Sequence, residues 1–311
     1  MTNQQPASPQ HAPVTVIGLG PMGLALADTL LEHGHPTTVW NRTPEKANGI
    51  ATKGAHRAGT VAEAVAASPV TVICLQDYAA MYGVLGSAGD ALKGRVLVNL
   101  NSGTPKEAHA AASWATERGV AYLDGAIMVP PPLVGHPESV FLYSGPQHVF
   151  DEHRATLASM GGPRYLGPDP GLAVLYNAAL LDMMYATMNG FLHATALVGS
   201  ANVPAVTFAD LALNWFMPSV VTSTLTEQAP DLDKGHYPGD AGTMEMNHHA
   251  LEHITRTCVE QGVHSDQPEL MKAIAGQAIA QGHGGKNYLA VLEVFKKAAQ
   301  APAVAPARPQ P

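Results

Sequence analysis

The sequence predicts an α/β protein: an N-terminal Rossmann domain with a doubly wound parallel sheet, a long interdomain helix and an all-helical C-terminal domain. Three observations predict it. An apolar strand-like segment, residues 14–17, runs directly into the glycine motif Gly18-Leu19-Gly20-Pro21-Met22-Gly23. Short apolar segments and helix-like segments then alternate up to about residue 169, as in doubly wound sheets. From residue 171 onward only helical patterns occur.

The glycine motif predicts binding of a dinucleotide, because it lies in the strand–turn–helix context that such binding requires. Gly18 permits the tight turn, Gly20 lets the backbone approach a pyrophosphate, and Gly23 lets the helix pack closely on the strand. The helix N-terminus offers unpaired N–H groups to the phosphates. The cofactor is also expected to contact the rest of the turn and the end of a later strand, namely Leu19, Pro21, Met22 and Leu75.

The end of the second strand predicts NADPH rather than NADH. NAD-binding units usually place a carboxylate there to accept hydrogen bonds from the ribose 2′-hydroxyl. This sequence has neutral Asn41, followed by Arg42, Thr43 and, one turn later, Lys46. A guanidinium clamps a 2′-phosphate with charge-assisted hydrogen bonds, whereas a carboxylate would repel it. The alternative is that Arg42 and Lys46 belong to a solvated loop and helix start.

The later elements alternate between strand and helix and then become helical only. Strands are predicted at residues 70–75, 95–100, 121–124 and 140–144, and helices at 78–83, 104–117 and 147–160. The helices of the second half are predicted at 171–200, 204–215, 243–261, 266–281 and 286–300. The predicted domains are a disordered tail at 1–12, an NADPH-binding Rossmann domain at 13–169, an interdomain helix at 170–200, a helical substrate and dimerisation domain at 201–300 and a disordered tail at 301–311.

The long apolar helix, residues 172–199, predicts an interface with a second copy of the chain. Its length is enough to cross a bilayer, but polar residues interrupt it and no Lys/Arg cluster flanks it, so a membrane span is disfavoured. A helix of this length spans about 42 Å, more than a small helical domain covers alone. We therefore expect a homodimer with intertwined C-terminal halves.

Composition excludes several classes of protein. The chain has 311 residues, a net charge of −8 and 14% charged residues, with no basic run that would bind a nucleic acid. Its two cysteines, Cys74 and Cys258, are too few for a disulfide framework. Residues 1–12 lack the basic-then-apolar order of a signal peptide. We expect a cytoplasmic protein whose ligands are small molecules.

Two segments are candidates for substrate contact, because ligands bind at the carboxyl ends of the strands in such a sheet. In residues 99–105, Asn101 and Ser102 offer amide and hydroxyl groups to a polar substrate; the alternative is a simple N-cap turn. In residues 124–128, Met128 is placed to pack near a nicotinamide; the alternative is an ordinary strand and loop.

The long helix carries candidate proton donors. At 100° per residue, Asn177 and Tyr185 lie about 80° apart on one side, whereas Asp182 lies about 140° from Asn177. Tyr185 is the better candidate, because a phenol donates a proton and an amide is not an acid. The alternative for Tyr185 is aromatic packing at the helix surface, and Asp182 and Asn189 are expected to meet other helices.

Several of these motifs together resemble the imine reductase family, the imine-reducing branch of the β-hydroxyacid dehydrogenase superfamily. The motifs are the glycine turn, residues 40–43, 99–105, 123–128 and 171–181, and His193-Ala194, and they cover almost the whole chain outside the tails. The resemblance implies NADPH-dependent reduction of C=N bonds in cyclic imines, sometimes reductive amination, by a dimer with exchanged helical domains. It also implies a substrate pocket lined by Trp215, Met217, Met246 and Asn247. The family commonly carries Asp or Tyr where this sequence has Asn177, which makes Asn177 a departure at the catalytic position.

Two other functions fit the same architecture. A β-hydroxyacid dehydrogenase or carbonyl reductase of the superfamily would, by the same resemblance, carry a catalytic Lys in this helix, and no Lys occurs between Lys106 and Lys234. An iminium ion accepts hydride without a strong acid, whereas a carbonyl needs its developing oxyanion stabilised. Neutral Asn177 and Tyr185 therefore favour an imine substrate. The third alternative is a non-catalytic NADPH-binding protein.

The stretch His249-Ala250-Leu251-Glu252-His253 matches the H-x-x-E-H pattern of some zinc proteases. On a helix His249 and His253 share a face, as zinc ligands must. However, the chain contains 15 histidines, so short histidine patterns are expected by chance. We therefore predict no catalytic metal.

Overall fold

The computed structural model describes residues 11–296, which form two compact units, one ending at Met184 and one beginning at Tyr185. The predicted disordered tails, residues 1–12 and 301–311, lie almost entirely outside the described residues. The first unit holds a sheet covered by helices, and the second is built from helices.

The first unit contains an eight-stranded sheet and the helices that connect its strands. The strands are β1 (Val14–Ile17), β2 (Thr37–Trp40), β3 (His56–Arg57), β4 (Val70–Ile73), β5 (Val96–Asn99), β6 (Ala121–Ile127), β7 (Val140–Ser144) and β8 (Gly162–Tyr165). The helices are α1 (Pro21–Glu32), α2 (Asn48–Thr52), α3 (Val61–Ala66), α4 (Tyr78–Leu85), α5 (Pro105–Thr116) and α6 (Gln147–Ala158). This alternation confirms the predicted fold class.

The strand order is β3-β2-β1-β4-β5-β6-β7-β8, and neighbouring strands are parallel except for β6 and β7. The two central strands, β1 and β4, both read Val-Thr-Val-Ile and are completely buried. Val14 pairs with Val70, and the register continues to Ile17 and Ile73. Branched apolar residues suit a strand that is covered on both faces. The strand order reverses between β1 and β4, which opens a crevice at their carboxyl ends.

Apolar side chains cover both faces of this sheet. On one face Leu26 and Leu30 of α1 and Leu157 of α6 are buried against the strands. On the other face Leu85 of α4 and Ala111 of α5 are buried. Because both faces are close-packed, the carboxyl ends of the strands are held as a fixed platform.

Several predicted boundaries in the first unit were wrong. The strand β8 is absent from the predicted strands, because its sequence begins Gly162-Pro163, which is typical of a turn. A proline is tolerated there because β8 is the edge of the sheet, where a missing N–H costs no ladder hydrogen bond. The short elements β3, α2 and α3 carry too few residues for a periodic signal. The predicted strand 70–75 ends at Ile73, because Cys74 and Leu75 already belong to the following turn.

One continuous helix, α7 (Leu172–Gly199), agrees with the predicted helix 171–200. After it come α8 (Ala205–Leu211), a π-helical segment (Ala212–Thr222), α9 (Ser223–Lys234), α10 (Met244–Glu260), α11 (Asp266–Ala278) and α12 (Leu292–Phe295). No strand occurs in residues 171–296, which confirms the helical second half. None of the helices within the described part of the chain is both long enough and apolar enough for a membrane span.

The predicted helix 204–215 was too short, since helical structure continues to Lys234. Pro218 suggested an earlier end, because a proline removes an N–H donor and its ring clashes with the carbonyl four residues before it. Pro218 lies inside the π-helical segment, whose wider turns do not use that carbonyl in the same way. The predicted helices 266–281 and 286–300 were also inexact. In the first, α11 ends at Ala278 and a π-helical segment (Ile279–His283), kinked at Gly282, continues it. The described part of the second is a short 3₁₀ turn (Tyr288–Val291) followed by α12, and residues 297–300 lie outside the described residues.

Candidate active site

A groove opens at the edge of the sheet where β1, β2 and β4 end. It has a volume of about 290 Å³. The groove brings together eight residues predicted to bind the cofactor, and its lining is Gly18, Leu19, Gly20, Pro21, Met22, Gly23, Asn41, Cys74, Leu75 and Gln76. Cys74 and Gln76 were not predicted from the sequence as part of the groove. Both follow a strand that borders the crevice, and this position is a signal by which they could have been predicted.

The three glycines of the turn have different surroundings, and each requires a glycine for its own reason. Gly18 has φ of +99°, and a Cβ there would overlap the carbonyl oxygen of Cys74. A Cβ on Gly23 would overlap the carbonyl oxygen of Gly18. A Cβ on Gly20 would meet no atom within 4 Å. The open space at Gly20, directly before the first turn of α1, therefore fits the pyrophosphate of a dinucleotide.

Asn41 ties the end of β2 to the glycine turn. Its Oδ1 accepts a hydrogen bond from the backbone N–H of Leu19 at 2.9 Å, and its Nδ2 donates to the carbonyl oxygen of Thr43 at 3.0 Å. The sequence indicated only that Asn41 is neutral. The structure shows that it also fixes the shape of the turn.

The side chains that follow Asn41 make this end of the groove suitable for a phosphate. Arg42, Thr43 and Lys46 are exposed beyond the groove lining, and neither Arg42 nor Lys46 forms an ion pair within residues 11–296. Burial raises the pKa of the Cys74 thiol to about 11, so this wall of the groove stays neutral. The free cationic groups suit the 2′-phosphate of NADPH.

Asn101 braces the turn between β4 and α4. Its Oδ1 accepts from the N–H of Leu75 at 2.6 Å, and its Nδ2 donates to the carbonyl oxygen of Asp77 at 3.0 Å. The residue is only 2% exposed. Both the oxygen and the nitrogen of its amide therefore bond to the backbone of the protein and not to a substrate. Ser102, the next residue, is exposed.

Residues 102–105 form an N-cap turn. Thr104 caps α5 by accepting the N–H of Glu107 at 3.3 Å, while the Glu107 carboxylate accepts the N–H of Thr104 at 2.8 Å. This reciprocal pair is a capping box. The segment therefore begins a helix and also presents Ser102 at the edge of the sheet.

A buried polar cluster lies at the carboxyl end of β5 and beside it in the middle of β6. The Oδ2 of Asp124 accepts from the Tyr78 hydroxyl at 2.7 Å, the Tyr122 hydroxyl at 2.6 Å and the Asn99 amide at 3.3 Å. Burial raises the pKa of Asp124 to about 6, although these hydrogen bonds oppose the shift. Burial also raises the pKa of both tyrosines, so they remain donors. No pattern in the sequence revealed this cluster, because Tyr78 and Asn99 lie 46 and 25 residues from Asp124 in the chain.

The predicted substrate residues of the first unit lie in different surroundings. Met128 follows β6 and is half-buried beside Ala126 and Leu142. Asn177 lies in the second turn of α7 and is half-buried. Its amide has no hydrogen-bond partner within the described residues, so it is available to a ligand.

The predicted substrate residues of the helical unit are mostly exposed. Tyr185 lies on α7 and is 60% exposed, and its phenol forms no hydrogen bond within residues 11–296. Trp215 and Met217 lie in the π-helical segment, a type of distortion that often occurs at functional sites. Met246 and Asn247 lie in the first turn of α10, where the Asn247 amide donates to the carbonyl oxygen of Thr243 at 2.8 Å.

The sheet topology, the glycine turn and the cationic end of the groove define the class of this protein. It is an oxidoreductase of the kind that binds NADPH at the switch point of a doubly wound sheet. Residues 13–167 match the family described as the NAD binding domain of 6-phosphogluconate dehydrogenase. Residues 169–297 match the family described as NADPH-dependent reductive aminase-like, C-terminal domain.

Relatives of known function and structure identify the family. The chain is 38% identical over 287 residues to an NADPH-dependent reductive aminase of Aspergillus oryzae, covering 91% of this chain and 97% of the relative. An imine reductase from Bacillus cereus has 38% identity and a TM-score of 0.87, covering 93% of this chain and 100% of that one. A reductive aminase from Aspergillus terreus, solved with NADPH4, cyclohexanone and allyl amine, has 39% identity and a TM-score of 0.83, covering 91% and 99%.

The chain belongs to the family of imine reductases and reductive aminases. This confirms the predicted family, the NADPH cofactor and the predicted activity, NADPH-dependent reduction of C=N bonds.

Proposed function

We propose that the enzyme reduces cyclic imines and iminium ions to amines, and that it also couples a ketone with an amine before reduction. The observation that carries this substrate class is the composition of α7, which contains no Lys or Arg; its ionisable side chains are Tyr176, Asp182, Tyr185 and His193. When a carbonyl substrate accepts hydride, an oxyanion develops, and a strong hydrogen-bond or proton donor must stabilise it. A protonated imine needs no such donor, so a helix without Lys or Arg suits it.

In the first unit we propose that the groove residues bind NADPH. The glycine turn and the N-terminus of α1 bind the pyrophosphate, and Arg42, Thr43 and Lys46 bind the 2′-phosphate. Asn41 and Asn101 hold the two turns that line the groove. Bound NADPH supplies the hydride that the imine carbon accepts. Ser102 and Met128 are proposed to contact the substrate.

In the helical unit we propose Tyr185 as the group that delivers a proton to the substrate nitrogen. Its phenol is exposed and unpaired, as described above. His193 is unsuited to this role, because its Nε2 lies 2.8 Å from the carbonyl oxygen of His264 and is held there. Asn177 is proposed to orient the nitrogen as a neutral hydrogen-bonding group. Trp215, Met217, Met246 and Asn247 are proposed to contact the apolar parts of the substrate.

Substrate comparison tests the proposed activity. NADPH oxidation is followed with 1-pyrroline, with a dihydroisoquinoline, with cyclohexanone plus allylamine, and with 2-oxo and 3-oxo acids. Turnover with the imines supports the proposal, and turnover of the ketone–amine pair supports reductive amination. Turnover with the oxo acids alone would identify a hydroxyacid dehydrogenase. NADPH binding without turnover of any substrate would identify a non-catalytic protein.

The proton-donor role is tested by Tyr185→Phe, which removes only the hydroxyl. We expect turnover to fall roughly 10²- to 10⁴-fold with an imine substrate. Tyr176→Phe is the matched control, because Tyr176 is similarly exposed (49%) and lies about 180° away around α7. A loss of less than a few-fold in Tyr185→Phe would assign the proton to solvent or to a substrate that arrives protonated.

We propose that the enzyme is a homodimer with exchanged helical domains. A single copy of the chain leaves many large apolar side chains of α7 exposed; they include Leu175, Met183, Met188 and Leu192. Apolar area of this extent marks an interaction surface. Light scattering should give twice the mass of one chain, and Leu192→Glu should lower it to one. Leu133→Glu, which changes an exposed leucine outside this helix, should leave the dimer intact.

A cytoplasmic location is also proposed. Cys74 and Cys258 are both free thiols, as expected for a reducing compartment. Fractionation of the source cells, followed by immunodetection, tests the location. Recovery from an oxidising compartment would contradict it.

A further inference from the structure

Three side chains with metal-binding atoms meet on the surface of α10. His248, His249 and Glu252 each place one nitrogen or oxygen so that these atoms all lie within 4.8 Å of one another. His248 is half-buried, and the other two are exposed. None of the three belongs to the groove that binds NADPH.

Helix geometry explains why these three positions converge. At 100° per residue, His249 lies 100° around α10 from His248, and Glu252 lies about 40° from His248, between the two histidines. Glu252 also lies about one turn further along the helix. The three side chains therefore form a triangle over a single turn, and small rotations bring their atoms around one point.

This cluster differs from the pair suggested by the H-x-x-E-H pattern. That pattern assigns His249 and His253 as ligands and leaves the glutamate unbound. In the structure the Nδ1 of His253 lies 2.6 Å from Nη2 of Arg256, so His253 is engaged elsewhere. His248, which the pattern does not include, occupies the third position. The two arrangements predict different ligands and can be separated by mutation.

The surroundings of the cluster leave the three side chains close to one another. The Nδ1 of His249 lies 3.3 Å from Oε2 of Glu252, so the imidazole and the carboxylate already face each other. Lys272 on α11 lies near Glu252 and opposes a cation at long range. The His248 ring faces Gly276 of α11, where the missing side chain leaves it room.

We propose that His248, His249 and Glu252 form a binding site for a divalent transition-metal ion, with zinc as the ion whose preferences match best. Zinc accepts imidazole nitrogen at about 2.0–2.1 Å and carboxylate oxygen at about 2.0–2.2 Å, commonly with three protein ligands and one water. The hard oxygen-preferring ions are a poorer match for two imidazoles. The site is separate from hydride transfer, which requires no metal.

The test measures metal binding directly on the full-length, untagged protein. Zinc chloride is titrated by calorimetry, and cobalt(II) is used as a spectroscopic probe of the coordination. We expect one site per chain. His248→Ala and Glu252→Gln should each weaken zinc binding by roughly tenfold or more. His253→Ala is the matched control on the same face of α10 and should leave the affinity unchanged.

Two results would overturn the proposal. If His253→Ala weakens binding as much as His248→Ala does, the ligands are those of the H-x-x-E-H pattern. If none of the variants changes the affinity, zinc binds elsewhere on the histidine-rich surface. Each variant is also titrated with NADPH, and unchanged NADPH affinity shows that a lost zinc site does not reflect a misfolded protein.

Discussion

The Oδ1 of Asn41 accepts a hydrogen bond from the backbone N–H of Leu19 at 2.9 Å, so the residue directly after β2 also holds the glycine turn that follows β1. In the usual NAD-binding arrangement this position carries a carboxylate that binds the ribose. Here the side chain is neutral and is turned toward the protein. One residue therefore contributes both to the shape of the cofactor groove and to its charge.

Replacing Asn41 by Asp should shift the cofactor preference toward NADH. The carboxylate still accepts the Leu19 N–H, but it repels a 2′-phosphate and can accept a ribose hydroxyl. Because a difference of about 1.4 kcal/mol changes an affinity tenfold, we expect the ratio of kcat/KM for NADPH to that for NADH to fall about tenfold or more. Asn41→Ala removes the hydrogen bond to Leu19 without adding a charge, and it should weaken the binding of both cofactors alike. An unchanged ratio in Asn41→Asp would show that this position does not face the 2′-phosphate.

Removing the guanidinium of Arg42 should weaken NADPH selectively. Hydrogen bonds to charged groups contribute about 1.5–3 kcal/mol, so Arg42→Ala should raise the KM for NADPH by about 10- to 100-fold and leave that for NADH nearly unchanged. Lys53→Ala is a suitable control, since Lys53 is an exposed cation outside the groove lining and is paired with Asp28 at 2.6 Å. Equal effects of Arg42→Ala on the two cofactors would contradict the role of Arg42.

Adding one methyl group to the glycine turn should destabilise the protein. In Gly23→Ala the new Cβ would overlap the carbonyl oxygen of Gly18, so strand and helix must move apart. Overpacking of this kind costs about 1–3 kcal/mol, to be measured by urea denaturation. Gly83→Ala is the matched control, because Gly83 lies in α4 with no atom near the added Cβ. That variant should gain about 0.5–1 kcal/mol in unfolding free energy. Equal effects of the two variants would show that Gly23 is not restricted by close packing.

The buried Asp124 should make stability depend on pH. Its pKa in the folded protein is about 6, above the value of about 3.9 in an unfolded chain. The folded protein therefore holds this proton more tightly. The contribution of Asp124 to stability is fully present below about pH 4 and is lost as the pH rises through 6. A shift of this size corresponds to roughly 3 kcal/mol.

Asp124→Asn isolates this contribution, because an amide does not titrate. Unfolding free energies of the original protein and the variant are compared between pH 4 and pH 8. The original protein should lose stability relative to the variant as the pH rises, and titrations of all other groups cancel in the difference. A difference that stays constant over this range would show that the carboxyl group does not titrate there.

The sequence by itself determined the parts of this protein that depend on local chemistry. The glycine turn, the buried strands β1 and β4, the cations after Asn41 and the length of α7 all follow from short patterns. Each pattern carries its physical reason within a few neighbouring residues. The fold class, the cofactor and the family could therefore be predicted correctly.

Only the tertiary structure decided the features that join residues distant in the chain. The bond from Leu75 to Asn101, the convergence of two tyrosines on Asp124 and the placement of Pro163 at a sheet edge have no local signature. Asn101 and Tyr78 each bond to a partner from another element, and hydrogen bonding in the interior decides which partner that is. Pro163 loses no ladder hydrogen bond only because its strand lies at the edge of the sheet. Periodicity predicts which face of an element is buried. It does not predict which element packs against that face.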